Sequence, residues 1–105
     1  MEYLSRQEEM VLLSVYHLKS DASLVSIRRF LNKQTEKRWS MSSVYIPLDR
    51  LKKSAHLDIT VGDPTPIRGG RAKKFYHLTD AGIEALEKVQ KVHETLWAGL
   101  DKLST

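Results

Sequence analysis

Residues Ser40 to Ala55, SMSSVYIPLDRLKKSA, decide how the rest of this chain is read. Met41, Val44, Leu48, Leu51 and Ala55 are apolar and spaced three, four, three and four, which predicts one face of an α-helix. Ser42, Ser43, Ile46, Asp49, Arg50 and Lys53 fall on the opposite face. Ser40 stands where an N-cap belongs, its hydroxyl able to accept an orphan N–H of the first turn. A short helix with one apolar stripe and an outer face of hydroxyls and basic groups suits a DNA major groove. The same pattern also describes an ordinary amphipathic helix with a solvated face. Pro47 removes a backbone bond at a cost of about 3 kcal/mol in a helix interior. It predicts either a kink there or a regular helix that begins nearer Ser43.

Working outward, Glu36 to Ser40 reads as a connector whose Trp39 covers the edge of the core. Before it, Leu24, Ile27 and Leu31 form the stripe of a helix capped by Ser23 and running to about Thr35. Two helices and a short connector make a helix-turn-helix. The N-terminal helix spans Leu4 to Lys19. Ser5 and Glu8 have the spacing of a capping box, just ahead of Met10, Leu12, Leu13, Val15 and Tyr16. Its consecutive Val11, Leu12 and Leu13 suit a place deep in the core or at a subunit contact.

Beyond Ala55, Leu57 to Val61 alternates apolar and polar residues as a strand does. Gly62 to Arg71, GDPTPIRGGR, is a basic loop, and Ala72 to Leu78 is a second strand. In that strand Lys74, Tyr76 and Leu78 share one face. Together these make a hairpin, or wing. Thr79 then caps a last helix from Asp80 to about Lys102. Its residues Leu86, Val89, His93, Leu96, Leu100 and Leu103 repeat every three and four positions, an a/d seam with one polar position. Gly99 weakens its end.

The fold class is thus mainly α with a small antiparallel β-hairpin. It is a winged helix-turn-helix over residues 1–79 with an added C-terminal dimerisation helix, residues 80–105, packed on the same domain. A chain of 105 residues, 41% hydrophobic and 29% charged, suits one modest core. No apolar run approaches the roughly 18 residues of a membrane span, and MEYLSRQEE does not read as a signal peptide. With no cysteine there is no disulfide framework, and the cytoplasm is the default compartment.

Charge is uneven. Arg28 to Lys74 holds 12 of the 17 Lys and Arg residues but 4 of the 13 Asp and Glu, so a basic middle lies between acidic ends. That asymmetry suggests a polyanion-facing surface. His17, His56, His77 and His93 sit on different elements without metal-ligand spacing, and no nucleophile motif is present. Neither a metal, a cofactor nor an enzyme is expected.

The order of elements resembles that of the PadR-like winged-helix transcriptional regulators over nearly the whole chain. LSRQEEMVLL at the start, SSVYIPLDRL in the third helix and GGRAKKFYHLTDAG from wing to last helix carry the likeness. Ser43, Val44, Tyr45, Arg50 and Leu51 match the family's recognition-helix pattern, and Tyr76, Leu78, Thr79 and Gly82 match the returning strand and helix start. The chain departs from the pattern in three places. Pro47 stands one residue later than usual, Ala55-His56 replaces a glycine after the recognition helix, and Ser23-Leu24 replaces a tyrosine-glycine pair.

The resemblance implies a homodimeric regulator of transcription, in all a repressor, bound to double-stranded DNA at a promoter inverted repeat. Ser42, Ser43, Tyr45, Arg50 and Lys53 would face the major groove, with Arg68, Arg71 and Lys73 on the backbone or minor groove. Leu86, Val89, His93, Leu96, Leu100 and Leu103 would form the dimer interface. Trp97 would line an apolar pocket between subunits for a small effector. Two other readings remain open on the residues alone. One is a winged helix used for protein contacts, and the other is a small-molecule sensor with its site at the dimer interface.

Overall fold

The computed structural model describes residues 3–62 and 73–100. Among the described residues four α-helices and one two-stranded antiparallel sheet follow one another as α1 (Arg6–Leu18), α2 (Leu24–Thr35), α3 (Met41–Lys53), β1 (Leu57–Val61), β2 (Lys74–Leu78) and α4 (Asp80–Trp97), with a single 3-10 turn (Lys19–Asp21) between α1 and α2. Each helix begins where local chemistry says it should. Ser5, Ser23, Ser40 and Thr79 each accept a backbone N–H of the first turn. At α1 the Glu8 carboxylate returns the favour by accepting the Ser5 N–H at 2.8 Å, completing the capping box. At α2 it is the Ser26 hydroxyl that accepts the Ser23 N–H.

The core sits where α1, α2 and α3 meet over one face of the sheet. Val11, Leu12, Val15, Ile27, Leu31, Val44, Leu48, Leu51, Leu57 and Tyr76 are buried there. Leu57 pairs with Leu78 and Ile59 with Tyr76 across the strands, so alternation puts all four on the core side. Beyond the ladder, the Tyr76 N–H donates to the Ala22 carbonyl at 2.8 Å, which ties the wing to the segment that starts α2.

The helix bounds correct several expectations. The last helix was expected to reach Lys102, but α4 ends at Trp97, with Ala98 extended and Gly99 at a φ of 85°, which only glycine adopts freely. The first helix stops before Lys19, whose φ of 53° is not helical. The second strand is described as β2 over Lys74–Leu78; its expected start at Ala72 lies outside the described residues, as do Arg68 and Arg71. Lys74 is exposed at the sheet's end, opposite Val61, and does not share the burial of Tyr76. The regular part of α3 starts at Met41, not nearer Ser43, and runs through Pro47 without a break. Pro47 is buried on the core side with Val44, Leu48 and Leu51, so the packing of its ring offsets the bond it removes.

Candidate nucleic-acid interface

Three side chains of α2 hold the connector that launches α3. Arg28 Nε–H donates to the Trp39 carbonyl at 2.7 Å. Asn32 Oδ1 accepts the Trp39 N–H at 2.7 Å, and Thr35 Oγ1 accepts the indole N–H at 3.1 Å. They stand four and three residues apart on one side of α2. Sequence spacing assigns this side of α2 no role. Its role depends on a contact with Trp39, which spacing cannot reveal.

The far end of α3 is fixed as firmly. The His56 N–H donates to the Leu51 carbonyl at 2.9 Å and the Ala55 N–H to the Lys52 carbonyl at 3.0 Å. That is a Schellman motif, with Ala55 at φ 65° in the position glycine normally takes. Thr79 locks the same turn to α4. Its hydroxyl donates to the Ala55 carbonyl at 2.7 Å and accepts the Gly82 N–H at 3.1 Å. A Cβ at Gly82 would run into the His56 carbonyl, so glycine is required for this close approach.

Between these anchors α3 shows its outer side to solvent. Ser42, Tyr45, Ile46, Arg50, Lys52 and Lys53 are exposed, and Ser43 and Asp49 are half-buried. Ser43 spends its hydroxyl on the Ser40 carbonyl at 2.8 Å. Lys53 Nζ lies 2.9 Å from Asp49 Oδ2. That hydrogen bond, and then the carboxylate's charge, raise the Lys53 pKa above its ordinary value. Tyr45 leans to one flank, where it lines a notch of about 290 Å³ with Ser23, Leu24, Val25, Lys73, Lys74 and Tyr76. Burial, with smaller contributions from Tyr45 and Asp49, raises the Tyr76 phenol's pKa. Arg50 leans to the other flank, lining a cleft of about 410 Å³ with Glu8, His56, Glu84 and Lys88 among others. Ser42, Ser43, Tyr45, Arg50 and Lys53 therefore share one element but divide among its crest and two flanks. Lys73 joins the Tyr45 flank, and Lys74 and Val25 stand with it. Lys74 is not among the site residues singled out from the sequence.

The seam of α4 also divides. Leu86 packs on the core and Val89 is buried. His93 Nε2 lies 3.0 Å from Glu9 Oε1 of α1. Leu96, Trp97 and Leu100 are exposed at 76%, 65% and 43%. Leu103 lies outside the described residues. Trp97 borders a cleft of about 270 Å³ with Arg6, Glu9, Met10, Leu13 and His93. Among the described residues no cluster could hold a metal ion, and no helix is long and apolar enough to cross a membrane.

A helix-turn-helix whose second helix is braced at both ends and exposed between them, followed by a hairpin with lysines at its loop end, is the architecture of winged-helix regulators of transcription. Residues 15–88 match the Transcriptional regulator PadR-like family, and the chain belongs to it. It is a family of DNA-binding transcription regulators, not of enzymes. No curated protein sequence matches the chain. Its fold is similar to that of a PadR family transcriptional regulator from Eggerthella lenta, with a TM-score of 0.70 and 22% identity over 93% of this chain and 83% of that one. A PadR-like transcriptional regulator from Bacillus cereus gives 0.68 and 24%, covering 93% and 90% of the two chains. A transcriptional regulator from Clostridium thermocellum gives 0.69 and 15%, covering 92% of each.

Proposed function

We propose that this protein is a cytoplasmic homodimeric repressor that binds an inverted repeat in promoter DNA. The observation that carries the reading is the α3 surface, fixed at both ends and left open along its length beside Lys73 and Lys74 at the loop end of the hairpin. In this reading α3 enters the major groove. Its crest meets base edges, while Ser43, Tyr45 and Arg50 on the flanks meet the walls. Lys53 exchanges its carboxylate partner for a phosphate. Lys73 and the sequence-neighbouring Arg68 and Arg71 hold the backbone or minor groove, a contribution indifferent to sequence and sensitive to salt.

The dimer forms through α4 as the C-terminal dimerisation element. Leu96, Trp97 and Leu100 are too large and apolar to leave facing water together. A two-fold copy of the same helix would cover them and bring two recognition helices to half-sites about 34 Å apart. The Trp97 cleft then lies at the subunit boundary and is the place for a small apolar effector. A gel shift with promoter fragments and non-specific competitor tests the reading. A retarded band at one inverted repeat supports it. Retention only by acidic proteins would favour a protein-contact role instead.

A further inference from the structure

The crest of α3 is the line Ser42, Ile46, Asp49, Lys53, spaced four, three and four and opposite the buried Val44, Leu48 and Leu51. Both ends of this line are polar and already engaged. Ser42 Oγ lies 3.2 Å from Ser40 Oγ, and Lys53 is paired with Asp49. At the centre stands an aliphatic side chain, Ile46, 50% exposed. A single exposed aliphatic is ordinary on a protein surface. Ile46 is distinguished by its place, midway along the exposed side of the helix that the DNA-binding reading puts in the groove. Arginine, the side chain that reads guanine, is missing from the crest, since Arg50 lies on the flank towards Glu8 and Glu84.

The major groove offers one apolar feature to a side chain of this kind, the 5-methyl group of thymine. A guanine in the same place would present N7 and O6 acceptors that isoleucine leaves unpaired. A cytosine would present an amino donor with the same fate. We infer that Ile46 reads a thymine methyl group and is a specificity-determining residue of α3, so each half-site carries a T·A pair at one fixed position. The inference rests on the DNA-binding reading above and goes beyond it by naming the base. The surrounding cations, Lys52, Lys73 and Lys74, supply attraction to any phosphate backbone but no choice among bases.

The test uses the full chain and a pool of random duplexes, from which bound sequences are enriched. In the enriched site each dT is then replaced in turn by dU, which lacks only the methyl group. Burying one methyl is worth about fourfold in affinity. One thymine per half-site should therefore show about a fourfold loss on replacement by dU with the wild-type protein. Ile46→Ala should bind the dT and dU duplexes equally, because the partner of the methyl is gone. If no dU replacement weakens wild-type binding, the inference is overturned while the DNA reading stands. It is equally overturned if Ile46→Ala loses as much on that replacement as the wild type does. A pool from which no sequence is enriched overturns the DNA reading itself.

Discussion

Ala55 holds a left-handed backbone, φ 65°, at the turn that ends α3. A residue with a Cβ gives up about 1–2 kcal/mol there. Glycine's greater freedom in the unfolded chain takes back about 0.4–1 kcal/mol of that. Ala55→Gly should therefore stabilise the protein by about 0.5–1 kcal/mol, read as a higher denaturant midpoint at unchanged slope. Gly82→Ala should do the opposite. Its Cβ meets the His56 backbone, which cannot swing aside like a side chain, and overpacking of this kind costs about 1–3 kcal/mol. Thermal unfolding of the two variants would move in opposite directions if the turn is built this way. The replacement of glycine at position 55 was legible in the sequence, but its consequence was not. Only the bonds from His56 to Leu51 and from Thr79 to Ala55 show that the turn closes normally despite it.

Among the elements, what sequence shows well is what is decided within a few residues. The caps at Ser5, Ser23, Ser40 and Thr79 are of that kind, because a hydroxyl and the N–H three residues on settle them. The anchoring of Trp39 by Arg28, Asn32 and Thr35 is not, since it joins two elements. Asn32→Ala would leave the Trp39 N–H buried without its partner, at about 1–3 kcal/mol. If the connector positions α3, operator affinity should fall further than the stability loss alone predicts, measured where the variant is still folded by circular dichroism. The loop end of the hairpin makes a different prediction. Lys73→Glu with Lys74→Glu should weaken binding to every DNA sequence alike. The plot of log affinity against log salt should lose about two units of slope, one per phosphate contact. A loss confined to one operator would mean that the strand reads bases.

For the whole molecule, the dimer is the expectation with most at stake. Sequence drew the α4 seam as one continuous stripe. Folding splits it, because Leu86, Val89 and His93 fall within reach of the core and α1, while Leu96 and Leu100 lie beyond the end of that support. Leu96→Glu with Leu100→Glu should leave the winged-helix core folded, give a monomer by light scattering at micromolar concentration, and abolish operator binding. A double variant that stays dimeric would place the interface elsewhere. The Thr79 joint has one more consequence, for anyone recombining such proteins. Residues 54–56 and 79–82 grip each other through two hydrogen bonds, from the Thr79 hydroxyl to the Ala55 carbonyl and from the Thr79 N–H to the His56 carbonyl, and one close backbone approach at Gly82, so they are inherited as a unit. A transplanted C-terminal helix would keep its angle to a new reading head only if both halves of that clasp travel with it. If the proposed dimer through α4 holds, a graft spliced at residue 80 alone should pair normally yet space its two heads wrongly for an inverted repeat.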